Sequence, residues 1–147
     1  LEVIENVAFY RCSALKSVNI PESVTQIGND VFFRCSALQS ITVDDENGKY
    51  CDVDGVLFNK DKSEIIAYPE GKTETKYTIP DSVTKISGNV FGYQSALKEI
   101  VVPASVTELP NHNIFVYPDE ITLAVMPGSA AEAYAKEQNI KYSIRNT

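Results

Sequence analysis

Two nearly identical stretches, "RCSALKSV" at residues 11–18 and "RCSALQSI" at residues 34–41, lie 23 positions apart in this chain. A third and looser copy, "YQSALKEI", occupies residues 93–100. Self-similarity at a fixed period is the sequence signature of repeat architectures, in which each unit buries its apolar side only against its neighbours. The repeat therefore predicts a stacked solenoid, with most of the repeated positions serving packing.

A second repeated marker shows that one unit is longer than the others. The stretches "IPESVTQI" (20–27), "IPDSVTKI" (79–86) and "VPASVTEL" (102–109) are separated first by 59 and then by 23 positions. The interval of 59 is one unit of 23 residues and one of 36. The additional residues lie within 44–73.

This longer unit carries hairpin signals. Asp54-Gly55 is typical of a tight turn, and the apolar segments "VLF" (56–58) and "IIAY" (65–68) flank the polar stretch "NKDKSE" (59–64). We predict an inserted β-hairpin over 44–73, as an excursion in which the chain leaves the regular coil.

Each unit also contains an L-x-x-I-x-V pattern that predicts a short strand. In the copy with Leu38, Ile41 and Val43, alternation directs Ile41 and Val43 to one face and Ser40 and Thr42 to the other. Three such strands are followed by a proline, whose missing N–H helps to end the ladder: Pro21, Pro80 and Pro103.

Helical structure is expected in two places. The pair Asn29-Asp30 can begin a short helical turn that carries the following apolar residues back across the coil. Near the end of the chain, Ser129 and Glu132 form a capping box before an alanine-rich segment, which favours a helix. We predict a C-terminal cap over 127–142 that covers the apolar end of the stack with these residues: Ala130, Ala133, Tyr134 and Ile140.

Charge and hydropathy exclude two classes of function. The chain has 20 acidic against 13 basic residues and a net charge of −7, which disfavours binding to nucleic-acid phosphates. No apolar run is long enough to cross a bilayer. We therefore expect no nucleic-acid partner and no membrane insertion by this segment.

The cysteines and the single histidine do not form a metal motif. Three cysteines without a C-x-x-C pair, together with His112 alone, make a zinc site improbable. Cys12 and Cys35 occupy equivalent positions in adjacent repeat units. This favours an interior stack of thiols, although a disulfide between them remains open. Around Asp52 the register of a calcium loop fails, so we predict no metal and no cofactor; adventitious calcium binding by the acidic loops remains open.

One motif resembles a catalytic one. "DVDGVLF" (52–58) is similar to the nucleophile motif of haloacid-dehalogenase-type phosphatases, in which the first carboxylate attacks phosphorus with Mg²⁺ as a clamp. That motif must leave the end of a buried apolar strand, whereas here the polar stretch "ENGKYC" (46–51) precedes it. We favour a hairpin turn and predict no enzyme activity.

The repeat as a whole resembles a known family. Its period and core pattern resemble leucine-rich repeats, whose units run about 20–29 residues. More narrowly, "IPxSVTxIGxxxFxxCSALxSI" resembles the BspA-like leucine-rich repeats of bacterial surface proteins, and "DGVLFNKDKSEIIAYPEG" and "PGSAAEAYAKEQNIKY" resemble that family's inserted hairpin and closing helix. Two local departures are Gln94, in place of the repeated cysteine, and "YPDE" (117–120), which interrupts the last unit.

The resemblance implies an α/β repeat solenoid: a right-handed leucine-rich-repeat coil of short parallel strands with short helical turns, an inserted β-hairpin and a C-terminal capping helix. We assign residues 1–147 to a single leucine-rich repeat domain. Because Leu1 and Ile4 match Val24 and Ile27 one period later, we expect the chain to begin partway through a repeat, as a fragment of a longer array. The family also implies an extracellular or cell-surface bacterial location and a protein partner, without enzyme activity.

We therefore expect a non-enzymatic binding scaffold that mediates protein–protein interaction or adhesion. The candidate contact residues on the sheet face are the outward strand positions Ser17, Asn19, Ser40, Thr42, Thr78, Glu99, Val101, Thr122 and Ala124. The hairpin tip is a second candidate surface, with Asn59, Lys60, Asp61 and Lys62. The alternative is a structural spacer or stalk that displays other domains and has no partner of its own.

Overall fold

In a computed structural model, which describes residues 2–93, 96–115 and 120–146, short strands stack one above another along the chain. The elements are β1 (Val3–Ile4), β2 (Ser17–Ile20), β3 (Gln26–Ile27), β4 (Ser40–Val43), β5 (Tyr50–Val53), β6 (Val56–Asn59), β7 (Glu64–Ala67), β8 (Lys76–Thr78), β9 (Lys85–Ile86), β10 (Glu99–Val102), β11 (Thr122–Val125), α1 (Ala130–Glu137) and β12 (Tyr142–Ile144).

The first side of the coil is built from the L-x-x-I-x-V strands, and all their pairings are parallel. β2 pairs with β4, and β8, β10, β11 and β12 form a four-stranded sheet. The register joins equivalent repeat positions, such as Val18 to Ile41 and Ile100 to Leu123. A period of 23 residues thus places each side chain beside its own copy in the next coil, and the predicted parallel-strand solenoid is confirmed.

The second side of the coil is a narrower ladder. β1 pairs in parallel with β3, which aligns Ile4 with Ile27. Further along, β7 pairs in parallel with β9, which aligns Ile65 with Ile86, and a single bridge continues from Lys85 to Glu108. Each of these strands is only two residues long in its pairing, and this places one apolar side chain per coil toward the interior.

The third side consists of turns, where we expected a short helical turn. Phe33 N–H donates to Asp30 O at 3.3 Å and Cys35 N–H to Phe32 O at 3.2 Å, so the bonds close turns of four residues. Asp30 and Arg34 have φ values of 54° and 68°, in the left-handed region. Two left-handed residues four positions apart interrupt a right-handed helix, because the sign of the backbone twist reverses at each. The short helical turn expected after Asn29-Asp30 is therefore not confirmed, and turns carry the chain across this side.

The inserted segment lies inside the stack. β5 and β6 pair antiparallel, β6 and β7 also pair antiparallel, and β7 then joins the second-side ladder. Val56, Leu57, Phe58 and Ile65 are fully buried. Instead of an excursion from the coil, these strands supply a wall of the core; the bounds 44–73 stay a prediction.

Strand β6 joins two hydrophobic clusters. The N-terminal cluster is built around Ile20, Leu38 and Ile41 and includes Leu57. The C-terminal cluster is built around Phe91, Leu97, Ile100 and Leu123 and includes Val56 and Phe58. Because alternate side chains of a strand point to opposite faces, one strand can belong to both clusters.

Buried Asn47 ties the start of the insertion to the coil before it. Its Nδ2 donates to Pro21 O at 2.9 Å and Val24 O at 3.0 Å, and its Oδ1 accepts from Lys49 N–H at 2.8 Å and Tyr50 N–H at 2.9 Å. All four bonds go to backbone groups, two in the coil before the insertion and two at its start, so this one side chain links the two segments.

The capping helix α1 covers the C-terminal end. Ser129 Oγ accepts from Glu132 N–H at 3.2 Å, and Glu132 Oε2 accepts from Gly128 N–H at 2.6 Å, which satisfies free donors at the helix start. Tyr134 Oη donates to His112 O at 2.6 Å. The helical residues buried against the core are Ala131, Tyr134 and Ala135, with Ile140 after the helix; Ala133, expected on this face, is exposed.

Candidate functional site

The structure aligns most of the predicted sheet-face residues in two groups. In the first group, Ser17 pairs with Ser40 and Asn19 with Thr42 across β2 and β4. In the second, Glu99 pairs with Thr122, and Val101 lies between Thr78 and Ala124. The two groups belong to different sheets, so the predicted face is divided into two halves.

Exposure differs between these halves. Ser17, Asn19 and Thr42 are exposed, and Thr42 Oγ1 donates to Asn19 Oδ1 at 3.0 Å. In the second half Thr78 is exposed, and Glu99 and Thr122 are half-buried.

Two positions of the second half are closed to a partner. Val101 and Ala124 are each only 3% exposed. They lie in the inner strands β10 and β11, which have paired strands on both sides. The expectation that Val101 and Ala124 are available on the sheet face is wrong.

A cleft of about 390 Å³ marks the seam between the halves. Ser40 of β4 lines it together with Thr73 and Glu74, which precede β8. Lys72 Nζ donates to Asp54 O at 2.8 Å, which holds the turn between β5 and β6 at the edge of this cleft. A partner that spans both halves of the sheet face would have to cross this seam.

The predicted hairpin tip has a rigid base and an exposed end. Asn59 is half-buried and structural, because its side chain bonds Ser63 Oγ at 2.8 Å and Glu64 N–H at 3.0 Å. Lys60, Asp61 and Lys62 are exposed. Hydrogen bonds from the Ser63 hydroxyl and amide lower the pKa of Asp61, so its carboxylate is held ionised.

The tip lies apart from the sheet face. Asn59 lines a second cleft, of about 550 Å³, together with Ile27, Glu64, Ser87 and the sole histidine, His112. These residues belong to the second side of the coil and its turns, whereas Ser40 lies at the seam cleft. The two surfaces predicted from the sequence are thus separate.

Asp52, the first carboxylate of the phosphatase-like motif, has a structural partner. Its Oδ1 accepts from Val43 N–H at 2.7 Å, and Gly55 O accepts from Ile41 N–H at 2.9 Å. Asp52 of β5 and Gly55 of the following turn therefore accept hydrogen bonds from the backbone of β4. The motif does not lie at the end of a buried parallel strand, where that chemistry would require it.

The acidic and thiol groups are dispersed. Within residues 2–93, 96–115 and 120–146, no group of three or more His, Cys, Asp or Glu side chains is placed to hold a metal ion. Cys12, Cys35 and Cys51 are free thiols; Cys35 Sγ bonds Phe9 O at 2.9 Å, and burial raises the pKa of Cys35 and of Cys51. Burial thus disfavours the reactive thiolate form of Cys35 and Cys51, which suits a packing role.

The residues that our sequence reasoning missed are Arg11, Arg34 and Tyr93, which line a further cleft on the third side of the coil. The available signal was the arginine that opens both quoted copies of the repeat, at residues 11 and 34.

One observation bears on membranes. In the described part of the chain, no helix combines the length and the apolar character that a bilayer span requires.

Comparison with solved structures shows the same fold in bacterial proteins. A leucine-rich repeat protein from Eubacterium ventriosum is 30% identical, with a TM-score of 0.77 over 97% of this chain and 35% of that chain. A leucine-rich cell surface protein from Faecalibacterium prausnitzii is 20% identical, with a TM-score of 0.68 over 100% of this chain and 52% of that one. The pneumococcal vaccine antigen PcpA is 17% identical, with a TM-score of 0.65 over 100% and 60%.

This chain therefore spans between about a third and three fifths of the length of these structures. No curated protein matches it. The family model described as "BspA type Leucine rich repeat region" matches in six copies, over residues 1–74 and 66–132. The chain belongs to the BspA-type leucine-rich repeat family.

Proposed function

We propose that this chain is a non-enzymatic binding scaffold of the bacterial cell surface or the extracellular space, whose sheet face contacts a protein partner in interaction or adhesion. The observation that carries the proposal is the contrast within one strand pair: Ile20 and Ile41 are fully buried, while Asn19 and Thr42 between them are exposed and in register. The interior is constrained by packing and the exterior is free to vary, as in other repeat scaffolds.

The chemistry of this face favours a modest affinity. Its exposed members Ser17, Asn19, Thr42 and Thr78 are small and polar. Interfaces draw most of their binding energy from buried aromatic and arginine anchors, which this face lacks at those positions. The hairpin tip, with the exposed side chains of Lys60, Asp61 and Lys62, supplies a second set of charges for the same or another partner.

The cell-surface location rests on kinship. One structural neighbour is described as a leucine-rich cell surface protein. The absence of a phosphatase-like setting around Asp52 supports a non-enzymatic role, since that carboxylate is bonded to the Val43 amide.

The test uses capture of proteins from host-cell and bacterial surface extracts by the immobilised chain, quantified by mass spectrometry. We expect Thr42→Arg combined with Thr78→Arg to reduce the captured partner about tenfold, because two bulky charges would stand in the interface. Thr107→Arg is the matched control: Thr107 is exposed, lies between β10 and β11, and should tolerate the same change.

The outcomes separate the candidate functions. Undiminished capture by the double variant would show that the sheet face is the wrong surface. If nothing is captured above blank resin by the unaltered chain, the spacer or stalk function is favoured instead.

A further inference from the structure

A cleft on the third side of the coil brings two arginines together. Arg11 and Arg34 occupy the same address in adjacent coils and line one cleft of about 560 Å³. Ser13 and Ser36, also equivalent, line it with them. Both arginines have left-handed backbones, with φ of 61° and 68°, and Arg11 N–H donates to Phe33 O at 3.0 Å. The same turn geometry thus presents both side chains in the same direction.

A row of aromatic rings supports these arginines. The rings of Tyr10 and Phe33 lie 6.0 Å apart, and those of Phe33 and Tyr93 lie 5.0 Å apart. The Arg34 guanidinium lies 4.1 Å from the centre of the Tyr93 ring, and that of Arg11 lies 5.4 Å from the Tyr10 ring. Each guanidinium therefore lies over an aromatic ring, a contact that leaves its N–H groups available for hydrogen bonds.

The charges in the cleft are not balanced by ion pairs. Among the described residues, the ion pairs within 4 Å all involve lysine, so neither Arg11 nor Arg34 is paired with a carboxylate there. Glu70 also lines this cleft, and its Oε2 accepts from the Arg34 backbone N–H at 2.6 Å. Burial raises the pKa of Glu70, while the amide and the guanidinium of Arg34 act to lower it. In a chain of net charge −7, two adjacent cations in one cleft are a local exception.

We propose that this cleft binds an anionic sugar, a monosaccharide unit that carries a carboxylate or a sulfate group. The two guanidinium edges match the planar or tetrahedral anion by charge-assisted, paired hydrogen bonds. The hydroxyls of Ser13 and Ser36 can both donate to and accept from sugar hydroxyls, and the Tyr93 ring offers an apolar edge beside them. The volume falls in the range of small-ligand sites.

This site is separate from the proposed protein-binding function. The cleft residues lie in third-side turns, whereas the sheet face lies on the first side. Failure of one proposal therefore leaves the other untouched.

The experiment is a titration of the whole chain, followed by isothermal calorimetry and by NMR chemical shifts. Three probes are compared: N-acetylneuraminic acid for the carboxylate, galactose 6-sulfate for the sulfate, and galactose as the neutral sugar. We expect saturable binding of at least one anionic probe and none of galactose, and the preferred anion identifies the source. Binding of galactose with equal affinity, or binding of no probe at 10 mM, which is about the weakest affinity such a site would show, would overturn the proposal.

Substitutions localise the site. The double variant Arg11→Gln and Arg34→Gln should lose about tenfold to a hundredfold in affinity, because charged hydrogen bonds are lost. Arg145→Gln, which removes the same charge outside the cleft, should bind as the unaltered chain does. Equal weakening by both would show a nonspecific charge effect and overturn the proposal.

Two milder variants decide the matter if the double variant does not fold. Arg34→Lys keeps the charge but loses the paired geometry, so affinity should fall several-fold. Glu70→Gln keeps an acceptor for the Arg34 amide and removes a negative charge, so affinity should rise. Unchanged affinity in both variants would place any binding elsewhere on the chain.

Discussion

Equivalent repeat positions in the first coil and in the later coils differ in how deeply their side chains are buried. Phe9, Leu15 and Val18 are only partly buried, whereas their equivalents Phe91, Leu97 and Ile100 are at most 1% exposed.

In the middle coil, the equivalents Leu38 and Ile41 are also fully buried. A residue that is covered by coils on both sides loses nearly all contact with water, as Leu38 and Ile41 do. The stabilising free energy of a repeat residue is therefore a property of its neighbours as much as of the residue itself.

The largest effect of position on stability is expected at β6, because its side chains belong to both clusters. Phe58→Ala should cost about 3–5 kcal/mol and Leu57→Ala about 2–5 kcal/mol in the free energy of unfolding. Hydrogen exchange should localise the loss, since Phe58 packs in the C-terminal cluster and Leu57 in the N-terminal cluster. Identical exchange patterns for the two variants would show that the clusters are one cooperative unit.

A matched pair of leucines tests the effect of position in the stack. Leu97→Ala should cost about 2–5 kcal/mol, because a fully buried side chain leaves a cavity. Leu15→Ala should cost about 1 kcal/mol, because the partly buried side chain already contacts water. Urea unfolding of both variants measures the difference; equal losses would contradict the comparison.

Two glycines test how tightly the chain packs at the seam between the two halves of the sheet face. A Cβ on Gly71 would lie 2.6 Å from Ala37 C and 2.7 Å from Leu38 O, so Gly71→Ala should cost about 1–3 kcal/mol in overpacking. A Cβ on Gly48 would meet nothing within 4 Å. Gly48→Ala should therefore be neutral, or stabilise by up to about 1 kcal/mol through the unfolded chain. Thermal melts compare them, and a destabilising Gly48→Ala would refute the steric explanation.

The smallest expected effect concerns the capped end. Ser129→Ala removes the acceptor for Glu132 N–H and should cost about 1 kcal/mol. Ser129→Asp should restore most of the loss, because a carboxylate accepts the same bond. Unfolding by urea provides the measurement; an unchanged midpoint for Ser129→Ala would mean that α1 docks without its cap.

Sequence reasoning succeeded where one unit contains the whole signal. Alternation around Ile41 and Val43 identified the buried face, and Ser129 with Glu132 identified the helix start. It failed where neighbours decide. The buried face of α1 is Ala131 and Ala135 rather than Ala133, because the bond of Tyr134 to His112 O sets how the helix docks.

The candidate site shows the same limit. Thr42 and Val101 are both outward positions by alternation, yet one is exposed and the other is buried in an inner strand. The sequence of a single repeat unit does not show how many strands will pair on either side of its own strand. Gln94 and most of the "YPDE" stretch, residues 117–119, are departures that lie outside the described residues.

The sequence by itself determined the period, the family, the apolar positions of each repeat and the capping box. Each of these is encoded by residues that are close together in the chain or that recur at a fixed spacing. Only the tertiary structure decided that the insertion is a core wall, that the sheet face is divided at a seam, and that Arg11 and Arg34 share a cleft. The physical reason is that burial and juxtaposition depend on which coil lies above and below, and that arrangement exists only in the folded stack.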